Sequence, residues 1–230
     1  MKKIILFILL LLPVTVLAED YKFEDMVISL NDPDWIVFTK DNLEGNPAIE
    51  ANKINYDTLK DLFYNKHVSL DANIFDTVNP AENVELIVGI TNTNTRYNLH
   101  NYSKRQIKRI LKETVKDYKE YNIIDSYIYS NDKYTYICIS YEDNFVYIMD
   151  YITDINGKTY TIKYQKGAEF TDSDKKNFES IIDTIEYDRK EEFEVKPPLL
   201  TPLERILLWG FIGACMGALF SVLIRNKMSR

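Results

Sequence analysis

Along the middle of the chain, apolar positions recur in short blocks whose period switches between two and about three and a half; at both ends they run without interruption. Residues 26–30 and 35–39 alternate like half-buried strands, parted by the turn-forming Asn31-Asp32-Pro33-Asp34. Residues 55–63 place Tyr56, Leu59, Leu62 and Phe63 at helical spacing, which predicts a short amphipathic helix. The period of two returns at 68–75, where Val68, Leu70, Ala72 and Ile74 share one side. A more apolar strand follows at 84–90 and a polar loop at 91–98. Ser103 with Gln106 makes a capping box for a long helix that carries Ile107, Ile110, Leu111, Val115 and Tyr118 along one side.

After that helix the pattern predicts a meander. Residues 124–129, 134–141, 145–153 and 158–165 are rich in Tyr, Ile and Thr, and are separated by Asn131-Asp132, by Glu142-Asp143-Asn144 and by Asn156-Gly157. Turns this short force neighbouring strands to pair antiparallel. Thr171 with Asp174 then opens a last helix over 173–185, with Phe178, Ile181, Ile182 and Ile185 as its apolar stripe. The fold class that follows is α+β: an antiparallel sheet of roughly six to eight strands with helices against its faces.

The apolar run at 206–224 is nineteen residues without a charge, followed by Arg225, Lys227 and Arg230. At about 1.5 Å per residue it matches the roughly 30 Å hydrocarbon core of a bilayer. Thr201, Pro202 and Glu204 supply a helix start. The basic residues after the span keep that end in the cytoplasm, so the preceding domain is expected outside. Lys2 and Lys3, the run at 4–12 and Val16-Leu17-Ala18 before Glu19 have the form of a secretory signal peptide. An uncleaved signal anchor is the other reading, against which Pro13 breaks a run already short for a span. Leu200-Thr201-Pro202 does not supply the motif of a cell-wall sorting signal, so retention in the membrane is expected. The expected organisation is a signal peptide at 1–18, an extracytoplasmic domain at 19–187, a linker at 188–201, a transmembrane helix at 202–225 and a cytoplasmic tail at 226–230.

Composition narrows the middle further. Without its ends the chain keeps about 180 residues, a usual size for one domain, and the 17 tyrosines and 11 phenylalanines of the whole chain are ample for a core. The formal net charge is -7; five of the positive charges, Lys2, Lys3, Arg225, Lys227 and Arg230, belong to the ends, so the middle stands at -12. A domain that acidic is a poor general binder of nucleic acid. Of the two cysteines, Cys215 lies in the predicted span, which leaves Cys138 without a disulfide partner.

The opening strand running into a proline and a tryptophan (residues 28–35), the central helix, and a tyrosine-rich hairpin closing on Phe170, Phe178, Ile181 and Ile185 together resemble the PsbP-like α/β/α sandwich. The chain is also similar to membrane-anchored proteins of low-GC Gram-positive bacteria. The resemblance covers residues 21–187 and is one of elements, not of a functional motif. It implies the sandwich and, since families with this fold serve mostly as binding or assembly modules, a role of that kind; it carries over no functional residue.

Candidate chemistry is sparse. His67 and His100 are the only histidines, and neither has a second ligand at metal spacing. Cys138, mid-strand, reads as a small buried hydrophobe. Asp154-Ile155-Asn156-Gly157 lacks the glycine and glutamate that a calcium loop needs further on, and reads as a hairpin turn. No catalytic, cofactor or metal residue is assigned. Two features carry more. Arg105, Lys108, Arg109 and Lys112, continued by Lys116 and Lys119, form a basic stripe opposite the apolar side of the long helix, suited to an anionic partner such as a cell-wall polymer, lipid headgroups or an acidic protein. Set against this is a solvated face partly balanced by Glu113, Asp117 and Glu120. In the span, Gly213 and Gly217 form a small-xxx-small pair suited to helix packing and self-association.

The expectation is therefore a single-pass membrane protein whose exported domain is a non-enzymatic binding or assembly module. The alternative is an extracytoplasmic hydrolase with a carboxylate-based site, which a pocket holding two close carboxylates of raised pKa would favour. A structural or stress-response surface protein stays open beside the first.

Overall fold

The computed structural model describes residues 19–93 and 97–188. The predicted signal peptide, span and tail, all but the first residue of the predicted linker, and with them Gly213 and Gly217, lie outside the described residues. Among the described residues no helix is long and apolar enough to cross a membrane.

Strands β1 (Glu19–Phe23), β2 (Met26–Leu30) and β3 (Ile36–Phe38) lead into helices α1 (Pro47–Ala51) and α2 (Tyr56–Asn65), then β4 (Val68–Ile74) and β5 (Val84–Asn92). Helix α3 (Lys104–Asp117) is followed by β6 (Asn122–Ser130), β7 (Thr135–Asp143), β8 (Val146–Ile155) and β9 (Lys158–Lys166), then by α4 (Asp172–Thr184) and β10 (Glu186–Tyr187). Both predicted capping boxes form, Ser103 with Gln106 and Thr171 with Asp174. Asn156 and Gly157 take the left-handed conformation that the tight β8–β9 turn requires.

The strands make two sheets rather than the single one expected. Seven of them run β3-β4-β5-β9-β8-β7-β6, antiparallel throughout, and β1-β2-β10 form a separate small sheet. One face of the large sheet meets α4 and the small sheet. There Phe178 and Ile182 of α4 and Met26, Ile28 and Leu30 of β2 bury against Leu86, Val88, Tyr136, Tyr151, Ile162 and Tyr164. The other face carries two helices side by side: Leu59 and Phe63 of α2 pack on Phe38 and Val68, and α3 packs on Ile137, Ile139, Tyr141 and Ile148. Each large apolar side chain so buried contributes roughly 1.5–3 kcal/mol.

Several boundaries differ from expectation for identifiable reasons. Strand β5 runs on through Thr91 and Asn92, predicted as loop, because β9 pairs with both. A register shift between Val68 and Leu70 turns Val68 toward α2, away from Leu70 and Ala72. Phe145 belongs to the β7–β8 turn, at φ 67° and 85% exposed, and not to a strand. Ile185 caps α4 rather than ending it, yet stays buried.

Lys166 fastens α4 to the sheet. Its side chain is 3% exposed, and its ammonium donates to Asp174 at 2.8 Å and to Glu82 at 3.1 Å. Burial alone would lower its pKa, but the hydrogen bonds and charges of Asp174 and Glu82 together outweigh that and raise it. Lys166→Met is expected to cost about 1–3 kcal/mol, below the roughly 3–5 kcal/mol of a fully enclosed broken pair, because water reaches both acids left behind. Urea unfolding of this variant and of Lys166→Met/Asp174→Asn checks it: the double variant should lose less than the sum of its parts.

Candidate functional site

The apolar side of α3 decides where its charges go. With Ile107 buried and Ile110, Leu111 and Val115 on the sheet, Arg105, Lys108, Arg109 and Lys112 emerge on the opposite, exposed face. At about 1.5 Å rise per residue, the stripe from Arg105 to Lys112 is roughly 10 Å long. Among the described residues Arg105, Lys108 and Lys112 make no ion pair, whereas Glu113 is taken by Lys116 at 2.8 Å, a three-residue step along the helix. The acid nearest to balancing the stripe is therefore already engaged.

A second feature lies on the sheet between α2 and α3. Strand register places Asp71, Ile87, Lys163 and Asp150 in one row across β4, β5, β9 and β8, and Asn73, Glu85, Gln165 and Ile148 in the next. The result is a polar seam with a different cluster at each end.

At the β8 end, Asp150 is 2% exposed. Its Oδ2 accepts from Tyr118 Oη at 2.8 Å and Tyr141 Oη at 3.2 Å, and Tyr141 Oη in turn accepts from Lys163 Nζ at 3.0 Å. Lys163 Nζ stands 3.7 Å from Oδ1, which is enclosed and without a hydrogen bond. Burial pushes the Asp150 pKa up, only partly offset by Lys163 and the two tyrosines; burial and the facing carboxylate likewise push Tyr118 and Tyr141 up.

At the β4 end, Asp71 is 2% exposed and lines one cavity together with Glu85. Asn73 Nδ2 donates to Asp71 Oδ1 at 2.9 Å, and Gln165 Nε2 donates to Glu85 Oε2. Burial first and the Glu85 charge second push the Asp71 carboxyl up to about 7. A cavity of about 220 Å³ separates these groups and Phe75 from Ile54, Asn55, Leu59 and Leu62 of α2 and its entry. That volume is below the ~300 Å³ at which sites for drug-sized ligands begin.

Sequence reasoning missed Asp71, Glu85, Asp150 and Lys163. The polar side of β4 reads as solvent-facing until α2 is known to cover it; Asp150, an acid inside Tyr-Ile-Met-Asp-Tyr-Ile, was the readable signal. The other candidates stand apart. His67 and His100 are exposed, and among the described residues no three His, Cys, Asp or Glu side chains could hold a metal ion. Cys138 is buried toward α4, where burial pushes its thiol up, so it is no thiolate nucleophile.

No protein-family model matches the chain, and no curated protein matches it in sequence. Among solved structures it is similar to the solution structure of cyanobacterial PsbP from Synechocystis sp. PCC 6803, at 13% identity and a TM-score of 0.45, over 76% of this chain and 95% of that one.

Proposed function

We propose that the protein is a single-pass membrane protein whose extracytoplasmic domain is a non-enzymatic binding or assembly module, engaging an anionic protein or cell-wall polymer through the basic stripe of α3. The observation that carries the reading is the stripe itself. Arg105, Lys108 and Lys112 stand exposed and, among the described residues, without ion pairs on a chain of net charge -7, where an evenly solvated surface would set acids beside them. The membrane address rests on the apolar run at 206–224 with its basic flank, and self-association through Gly213 and Gly217 on their spacing in that run.

The test is crosslinking in intact cells with the full-length chain and with Arg105→Glu/Lys108→Glu/Lys112→Glu. Each replaced side chain is exposed, so the triple variant should melt within about 2 °C of the native protein. Recovery of the partner should fall at least about tenfold, equivalent to roughly 1.4 kcal/mol. Undiminished recovery would remove α3 as the docking face.

A second reading, an extracytoplasmic hydrolase, draws on Asp71 and Glu85 beside their cavity, since a carboxyl whose pKa burial raises to about 7 suits a general acid or base role. The near-complete enclosure of Asp71 counts against it. Hydrolysis of peptide, ester or glycoside substrates that disappears in Asp71→Asn would favour this reading over the first.

A further inference from the structure

Strand β6 is one edge of the large sheet, and among the described residues no strand pairs with its outer side. The other edge, β3, offers three residues, whereas β6 runs for nine. Exposed edges invite pairing with another chain unless charges, proline or a bulge blunt them. On β6 such devices stand only at the start: a register shift between Ile123 and Asp125 interrupts the ladder, and Asp125 Oδ1 accepts from Ser126 N at 2.8 Å. From Ser126 to Ser130 the strand holds no charge, proline, glycine or bulge.

Which backbone groups point outward follows from the β6–β7 turn. Asn131 N donates to Tyr134 O at 3.1 Å, so these two residues form a hydrogen-bonded pair of the ladder. Alternation then directs the amides and carbonyls of Tyr127 and Tyr129 to β7, and those of Ser126, Ile128 and Ser130 away from it. The stretch reads Ser-Tyr-Ile-Tyr-Ser, the same in both directions. Two antiparallel copies centred on Ile128 therefore set every residue against its own kind, and the centre is a residue whose backbone groups point out.

We propose that β6 pairs with β6 of a second copy of this chain, antiparallel about a two-fold axis at Ile128, joining two seven-stranded sheets into one. Each Ile128 N donates to Ile128 O of the other copy, and each Ser130 N to Ser126 O of the other copy. On the α4 side Tyr127 falls opposite Tyr129, an aromatic cross-strand pair. Charge agrees with this register. Asp125 falls opposite Asn131, so no like charges meet along the strand. On α4, Lys175 Nζ stands 3.9 Å from the centre of the Tyr127 ring, and Asp183 accepts from Tyr129 Oη at 2.7 Å. Opposing Tyr127 to Tyr129 thus brings Lys175 of each copy toward Asp183 of the other. Glu179, between them on α4, is turned into its own copy, where it accepts from Tyr127 Oη at 3.3 Å and Tyr151 Oη at 3.2 Å. The axis is normal to the sheet, so both α3 helices lie on one face with their basic stripes outward; the pairing neither covers the stripe nor rests on it.

The test is sedimentation equilibrium of the full-length protein in detergent over about a hundredfold range of concentration, with amide hydrogen exchange on the same samples. The native chain should form dimers, and protection at residues 126–130 should rise with the dimer fraction while that of β8, inside the sheet, stays constant. Ile128→Pro removes an outward amide and none that β7 uses, and should raise the dimer dissociation constant at least about tenfold. Ser126→Lys/Ser130→Lys sets like charges opposite each other at both ends of the pairing and should weaken it as much. With Ser130 exposed and Ser126 half-buried, this variant serves equally if the first does not fold. A monomer at every concentration, or a dimer indifferent to both variants, as association through the span alone would give, overturns the proposal. So does equal protection of 126–130 in the monomer, the sign that residues 189–200 of the same chain cover the edge.

Discussion

Asp150→Ala is expected to lower the unfolding free energy by about 3–5 kcal/mol, nearer the lower figure. The carboxylate takes hydrogen bonds from Tyr118 and Tyr141 and faces Lys163, so truncation orphans two phenol protons and removes the charge opposite an ammonium that keeps only its bond to Tyr141. Lys163 is 29% exposed and can recover water, whereas Tyr141 is buried and cannot. Asp150→Asn keeps an oxygen for the tyrosines and should cost roughly half as much, the difference being the lost charge opposite Lys163. Tyr118 is the residue that caps the C-terminus of α3 and also one of those that reach the acid. The same substitution should therefore loosen the C-terminal turn of α3 before the sheet, visible as reduced exchange protection there. A loss under about 1 kcal/mol in urea unfolding would mean that water already satisfies the cluster and that the bonds drawn from it are weak.

Which parts of this architecture were readable in advance follows the range of the interactions that set them. Capping boxes at Ser103 and Thr171 act within three residues, and the Asn156-Gly157 turn acts within two, so the sequence displays their causes side by side. The small sheet is the opposite case. Met26 and Val27 pair with Tyr187 and Glu186, partners from the far end of the domain, and two-residue β10 has too little length to show a period. The insertion of β9 between β5 and β8 is likewise hidden, because it depends on which edges remain free after the meander has formed. That one placement creates the polar seam: Gln165 meets Glu85 and Lys163 meets Asp150 only because β9 lies there. The basic stripe of α3 was legible because a single helix carries it. The acid pair was not, since Asp71 and Glu85 share a site only through strand pairing and through the cover of α2.

Phe178→Ala is expected to cost about 3–5 kcal/mol, which for a domain of this size lowers the melting temperature by roughly 6–20 °C. Phe178 is fully buried; its ring stacks on Tyr164 at 4.8 Å and 16° and meets Tyr151 edge-on at 4.8 Å and 74°. Both partners come from the large sheet, so one side chain joins α4 to its centre. Truncation leaves a ring-sized void between rigid aromatic neighbours, which cannot close over it as aliphatic chains do, and this places the cost high in the range. Phe178→Leu fills most of the void and should lose about 1.5 kcal/mol or less. The small sheet is bound to α4 by Thr184, whose hydroxyl accepts from Ser29 N at 3.1 Å, so it should loosen together with α4. The stripe of α3 lies on the other face of the sheet, behind a separate apolar cluster. Protein kept well below its lowered melting temperature should therefore capture the partner as the native chain does, while the Arg105, Lys108 and Lys112 variant loses capture at full stability. If Phe178→Ala instead abolished capture in folded protein, the docking surface would have to include α4, and the assignment to α3 would fall with it.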